Sequence, residues 1–379
     1  MLLKTRLKVR NKSVAVLDIR SSEVCAAVAE RGVNNTFIIK SKYTCSYDGY
    51  ADGELLDIAS FTSAVKKVVG NTVAASGEKF TRFYVGIPDE FLKVCVTEGG
   101  IALNPPQKVK PAHIHAVAES AQPSGENGWS VVERSPVYYS LSDKRRVIDP
   151  EGCFTESLRA RISWFLCKNS FAGCAVEAFR SFGQMRLKFV PSSLAQSCYL
   201  IAPAQRDNLA VLLDIGYISS SLSVSCGNGV VYSRAFSVGT GHIAAFLMDE
   251  LEIPYEVALQ FMSRINLNAK DGFSSFTEVR YGDMLYSYSS SALRELIREG
   301  LDGICDLAVE CMSGYTERDI TGKTLYLTGE GAKAVRGTPE HISVRLGCPV
   351  NVVCPHVPYY DKPKFSSLFS LLDAALGDN

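Results

Sequence analysis

The segment Leu209–Ser225, LAVLLDIGYISSSLSVS, decides the fold. Five apolar residues open it, and a run of this kind suits a strand buried on both faces. Asp214 stands at the strand's tip. Gly216 frees the backbone to turn, Ser219, Ser220 and Ser221 follow, and the alternation from Ser221 to Ser225 reads as a returning antiparallel strand. Such a hairpin suits a phosphate grip. Backbone N–H groups and hydroxyls face the oxygens, and the carboxylate holds a hydrated Mg²⁺. The same residues also make a plain β-hairpin with an exposed aspartate.

The pattern occurs earlier as well. Ser13–Ile19 is a strand with Asp18 near its end, Ser21 and Ser22 turn the chain, and Glu23–Glu30 and Thr36–Ser41 follow as strands. A helix spans Asp57–Val73, with Ile58, Phe61, Ala64, Val65, Val68 and Val69 on one face. Arg82–Ile87 is then a strand. In the later copy, Leu209–Ile215, Ser221–Cys226 and Val230–Phe236 are strands, and Gly239–Gly241 leads into a helix over His242–Glu252. Both halves read strand, aspartate, hydroxyl turn, strand, turn, strand, helix.

Between the halves, Phe91–Pro150 reads as short irregular pieces broken by Pro105–Pro106, Pro111 and Pro123–Gly128, with a strand at Trp129–Leu141. It has the look of a small inserted subdomain. Glu156–Leu166 and Arg186–Phe189 read as strands, Ala172–Phe182 and Ser192–Leu200 as helices, and Ala202–Asn208 as a linker. Downstream come a helix at Tyr255–Ile265 and edge strands at Phe273–Tyr281 and Met284–Tyr288. A strong helix follows, capped by Ser289–Ser291, with Leu293, Leu296, Ile297, Leu301, Ile304, Leu307, Ala308 and Cys311 as its stripe. Lys323–Leu327 and Val350–Val353 are strands, and Phe365–Leu376 is a helix. The turn Gly329-Glu330-Gly331-Ala332 allows close approach of a flat ligand or a phosphate, or is a plain strand–helix turn.

Composition narrows the classes. The 379 residues suit two to three domains. Forty basic and forty acidic residues leave no general pull on nucleic acid or acidic lipid. The 12 cysteines include no CxxC pair and lie mostly in apolar segments, which suits buried thiols in a reducing compartment. No apolar run is long enough to span a bilayer, and the start MLLKTRLKVRNKS lacks a secretion-signal core, so a cytoplasmic protein is expected. Gly322-Lys323-Thr324 fails as a P-loop because Glu317 stands where the first glycine belongs. The five histidines show no metal spacing.

In order and in motifs the chain resembles the actin/Hsp70/sugar-kinase superfold, and within it the FtsA-like bacterial cell-division proteins. The resemblance rests on Ala15–Ile19, Tyr84–Ile87, Leu212–Gly216, Val238–Ile243 and Leu325–Ala332, and on an insertion within the first half. It implies an α/β, actin-like (ribonuclease H-like) duplicated fold, with two lobes around a cleft and an FtsA-type inserted subdomain. The implied units are 1–88 and 156–205 for the first lobe, 89–155 for the insertion, 206–242 and 321–354 for the second-lobe core, 243–320 for its subdomain, and 355–379 returning to the first lobe. ATP and Mg²⁺ are the implied cofactors. The candidate nucleotide contacts are Asp18, Ser21, Ser22, Asp214, Gly216, Ser219, Gly239, Gly241, Gly329, Gly331 and Ala332, with Asp18 and Asp214 holding Mg²⁺ through water.

The motifs also depart from the family pattern. Arg20 replaces a glycine, and its guanidinium either obstructs phosphate or pairs with it. Tyr217 and Ile218 put side chains where phosphates approach. Leu259 and Met262 stand where a Glu and a Lys reach the nucleotide, and Glu330 replaces another glycine. These changes point to a scaffold with weak or absent ATPase activity. It would bind a tubulin-like division protein (FtsZ) through Tyr255–Tyr315, where exposed Tyr281, Tyr286 and Tyr288 suit an interface, and would self-associate. Nucleic acid is not an expected partner, and the acidic end of Phe365–Leu376 suits core packing better than a membrane. The alternatives are an active ATPase or small-molecule kinase using Asp214, and a PilM-like pilus-assembly scaffold.

Overall fold

The computed structural model describes residues 13–269 and 275–378. The basic start and the first two residues of the strand expected at Phe273–Tyr281 lie outside them. In the first lobe, β1 (Ser13–Ile19), β2 (Glu23–Arg31) and β3 (Phe37–Ser46) form an antiparallel meander. Helix α1 (Ile58–Ser76) follows. Asp57 caps it by accepting from the N–H groups of Ala59 (2.7 Å) and Ser60 (3.2 Å), and Gly77 ends it in the left-handed region. Its expected stripe is buried from Phe61 to Val69, whereas Ile58, at the first turn, is exposed. Strand β4 (Arg82–Ile87) then pairs parallel with β1.

The insertion holds the largest departure from expectation. Residues 92–108 form one long strand, β5 (Leu92–Lys108), rather than short pieces. It is an edge strand, so Pro105 and Pro106 remove no ladder bond on its free side, and its pairing skips from Ala102 to Gln107. Helix α2 (Pro111–Ser120) covers one face of the sheet. The remaining strands are β6 (Trp129–Leu141), β7 (Arg146–Val147) and β8 (Phe154–Lys168), in the order β5-β8-β6-β7. The expected boundary at 155/156 falls inside β8, and we propose that the insertion extends to Lys168.

The first lobe resumes with α3 (Asn169–Phe179), β9 (Arg186–Pro191) and α4 (Ser192–Leu200). The second lobe begins with β10 (Ala210–Ile215), β11 (Ser220–Cys226) and β12 (Gly229–Phe236), followed by α5 (Thr240–Leu251) and α6 (Tyr255–Arg264). A hairpin of β13 (Phe276–Tyr281) and β14 (Met284–Ser289) leads into α7 (Ser290–Ser313). Ser289 makes no side-chain cap bond; its hydroxyl pairs with that of Ser291 at 2.8 Å. Strands β15 (Leu325–Thr328) and β16 (Val350–Val352) flank α8 (Thr338–Leu346), and α9 (Ser366–Asp378) closes the described chain.

The duplication is explicit in the sheets. The first runs β3-β2-β1-β4-β9 and the second β12-β11-β10-β15-β16, each an antiparallel meander joined to parallel strands. Asp18 pairs across to Cys25, and Asp214 to Ser221, at matching tips. One face of the first sheet packs on α1 and α3. The other face, with Val14, Val16 and Tyr84, packs on Leu368, Phe369 and Leu372 of α9. The apolar face of α9 is therefore buried in the core, and no helix among the described residues is long and apolar enough to cross a membrane.

Candidate functional site

The two aspartate hairpins face each other across a cleft whose empty space, counted to its open mouth, is about 630 Å³. Five of the eleven sequence-predicted residues line this cleft: Ser21, Asp214, Gly216, Ser219 and Gly329.

Asp18 is fully buried. Arg20 Nε donates to its Oδ2 at 3.0 Å and Ser367 Oγ to its Oδ1 at 2.5 Å. Arg20 also pairs with Glu23 at 2.7 Å and donates to the Lys364 carbonyl at 3.1 Å. The guanidinium thus lies on the aspartate, where the resemblance implies a hydrated cation, and is not free to meet a phosphate. Ser21 Oγ accepts the N–H of Ile218 at 3.0 Å, so it joins the opposing hairpin. The Ser22 carbonyl accepts the N–H of Tyr47 at 3.2 Å.

Asp214 accepts from Gln196 Nε2 at 2.6 Å. Burial pushes its carboxyl up to about 6; the charges of Asp89 and Asp18 add to this, while the Gln196 bond opposes it. Ser219 Oγ donates to Glu90 Oε1 at 2.7 Å, and Ser237 Oγ to the same oxygen at 2.8 Å. Glu90 Oε2 takes the N–H of Gly53 at 2.7 Å. Asp89 accepts from Ser233 Oγ at 2.9 Å, and burial raises its carboxyl too. Thr328 Oγ1 donates to Ser366 Oγ at 2.7 Å.

Glycine roles also differ from expectation. At the start of α5, the N–H groups of Thr240 (3.0 Å) and Gly241 (2.8 Å) donate to the carbonyls of Gly216 and Tyr217, and that of Gly239 to His242 Nδ1 at 3.2 Å. The helix terminus that would meet an anion holds its own neighbouring turn. Gly329 has φ of +84°, and a Cβ there would lie 2.1 Å from Asp214 Oδ1. A Cβ on Gly331 would lie 2.2 Å from Ile215 Cγ2, and Ala332 is fully buried. These small residues let the turn sit against β10. Burial raises the Glu330 carboxyl beside them.

Tyr217 and Ile218 do not point into the phosphate path. The Tyr217 hydroxyl bonds that of Tyr255 at 2.5 Å, and Tyr255 donates to the Gly241 carbonyl at 3.2 Å. Ile218 lies against Gly49, where a Cβ would be 2.7 Å from its Cδ1. Of the α6 pair, Met262 is buried in the second-lobe core and Leu259 is exposed.

Sequence reasoning missed Asp89, Glu90, Gln196, Ser366 and Ser367, the groups that engage the predicted ones. Only Pro88-Asp89-Glu90 carried a signal, two acids directly beyond a buried strand's end. The residues present do not fit Mg²⁺-nucleotide as arranged: the Ser21 and Ser219 hydroxyls and the N–H groups at the start of α5 already have partners, and the carboxyls of Asp89, Glu90, Asp214 and Glu330 line the cleft together with Arg20 and Lys364. Among the described residues, no group of three or more His, Cys, Asp or Glu side chains is arranged to hold a metal ion.

Comparison with known proteins gives the same frame. No family model matches the chain. It is 21% identical over 357 residues to the cell division protein FtsA of Pseudomonas aeruginosa, covering 90% of this chain and 84% of that one. It is 20% identical over 375 residues to FtsA of Borreliella burgdorferi, covering 94% and 89%. Among solved structures, a PilM-PilN type IV pilus biogenesis complex aligns over 96% of this chain and 98% of that one, with a TM-score of 0.63 at 13% identity. MreB5 of Spiroplasma citri bound to ADP aligns over 95% of each chain, with a TM-score of 0.54 at 12% identity. Likeness along nearly the whole length joins a doubled five-stranded sheet and an insertion in the first half: the chain has the actin fold and is similar to FtsA along most of its length.

Proposed function

We propose that the chain is a scaffold in bacterial cell division, acting at the division site from the cytoplasmic side with weak or absent ATPase activity. Its likeness to FtsA over most of both chains supports the process. The single observation that supports a scaffold over an enzyme is the occupied cleft, where Asp18 is paired with Arg20 and Ser219 with Glu90. Partner binding is assigned to the second-lobe subdomain 243–320, with a tubulin-like division protein as the partner and self-association as a further property. The apolar surface there differs from expectation. Tyr281 is exposed, but Tyr286 and Tyr288 pack against the core; Phe276, Met284 and Leu285 are the exposed members of the hairpin.

Calorimetric titration with ATP and ADP, with and without Mg²⁺, tests the reading on wild type and Asp214→Ala. Heat of binding weaker than about 100 μM in both proteins is expected. Micromolar binding abolished by the substitution overturns the degenerate-cleft reading. Co-sedimentation with polymers of the tubulin-like protein from the same cell tests the partner. Capture of a pilus membrane protein's cytoplasmic tail in its place would favour the pilus scaffold.

A further inference from the structure

The inserted sheet has two unlike faces. One carries Leu103, Tyr139, Leu158, Ala160 and Trp164 and is covered by α2. The alternate residues look outward. On that face Arg146 of β7 pairs across to Ser140, Ser140 to Arg159, and Arg159 to Gly100, one row across all four strands. The next row holds Tyr138, Arg161 and Glu98. A groove of about 920 Å³, counted to its open mouth, runs over these rows.

Its charges are unevenly paired. Arg161 forms an ion pair with Glu317 of the second lobe, and its Nε is buried without an acceptor. The Arg146 guanidinium sits 4.4 Å from the Tyr138 ring centre. Arg146 and Arg159 are exposed, and neither has a carboxylate partner among the described residues. Gly100 adds no side chain beside Arg159, whose Cγ would lie 3.1 Å from a Cβ there. Lys144 and Glu98 line the same groove. The inserted sheet therefore lines up Lys144, Arg146 and Arg159 along one strip, with Glu98 the acid among its lining residues.

We propose that this groove on the outer face of the inserted sheet docks an extended acidic segment of a partner protein, with carboxylates at alternate positions. Charge complementarity names the chemistry, and guanidinium forks suit carboxylates. The spacing supplies the alternation. Arg159 and Arg161 lie two residues apart on one strand, about 6.7 Å, and an extended peptide repeats same-side groups at that interval. Tyr138 offers an apolar floor between them. Nucleic acid is disfavoured because basic and acidic residues balance at forty each, so no wide positive field backs the strip.

The test uses the full chain and a fluorescent Glu-Ser-Glu-Ser-Glu peptide, read by anisotropy at about 50 mM salt. Binding in the tens of micromolar is expected, weakened about tenfold at about 500 mM salt. Arg159→Glu and Arg146→Glu should each reduce affinity about tenfold or more. Arg159→Gln, which keeps the size and polarity, should give a smaller loss. Arg145→Glu, outside the row and paired with Asp143 in the wild type, should leave affinity within about twofold. The melting temperature of each variant is measured alongside. No binding at about 1 mM peptide overturns the proposal, as does equal binding by wild type and both row variants. So does preferential binding of a single-stranded oligonucleotide or of phosphatidylglycerol vesicles at the same arginines.

Discussion

At the scale of single residues, Arg20 is the most consequential change. A buried carboxylate is tolerable only when paired, and Arg20 and Ser367 together take both oxygens of Asp18. Arg20→Ala should therefore cost about 3 kcal/mol, measured by urea unfolding, and adding Asp18→Asn should restore much of that loss. Equal stability of the single variant and wild type would remove the pairing argument. Asp214 makes a pH prediction. Its folded-state carboxyl is raised to about 6 from an ordinary value near 4, so the fold binds its proton more tightly than the unfolded chain does. The stability it contributes is complete below about pH 4 and is lost as pH rises to about 6, on the order of 1 kcal/mol because the group faces the cleft. Asp214→Asn should remove that slope from urea midpoints taken across the window; an unchanged slope refutes the assignment. Neither pairing was readable beforehand. Both aspartates stood out at the tips of apolar runs, but a side chain's partner depends on what the fold brings near, and Ser367 lies 349 residues from Asp18.

Elements were more legible than their partners. Continuous apolar runs marked the central strands, alternation marked the return at Ser221–Ser225, and 3.6-residue stripes marked α1 and α7, because these patterns follow from which faces the backbone geometry buries. Strand β5 escaped notice because Pro105–Pro106 reads as a break, and only its edge position makes the prolines harmless. The stretch read as a linker, Ala202–Asn208, also holds more than connection. Arg206 is buried there. It donates to the carbonyls of Ser197 (3.1 Å), Cys198 (3.0 Å), Ile201 (2.7 Å) and Gly227 (2.8 Å), tying the C-terminus of α4 to the β11–β12 hairpin. Its removal leaves several carbonyls without donors, and Arg206→Ala should destabilise the chain by about 3 kcal/mol or more. Thermal unfolding would show this as a fall of several degrees; Arg206→Lys, lacking the fork, should recover only part.

For the whole molecule, the legible part was the doubled plan, and the illegible part was closure. Glu90 joins Ser219, Ser237 and Gly53, Asp89 joins Ser233, and Ser21 meets the Ile218 N–H, so the lobes are fastened by the groups that a phosphate-gripping cleft would leave free. Glu90→Ala removes the acceptor shared by two second-lobe hydroxyls. The expected result is a larger radius of gyration by small-angle scattering and faster hydrogen exchange at residues 219–237, with both sheets intact by circular dichroism. An unchanged scattering profile would show that apolar packing alone holds the lobes together.

Helix α9 has a further consequence, one for synthesis. It covers the face of the first sheet built from Val14, Val16 and Tyr84, yet its Ser367 follows Asp18 by 349 residues. At ribosomal speeds of about 5–20 residues per second, that apolar face emerges roughly 20–70 seconds before the helix that covers it. The first lobe therefore cannot finish folding until α9 has emerged. Until α9 arrives the nascent sheet is a client for chaperones, and slowing translation lengthens that exposure rather than helping the lobe to fold.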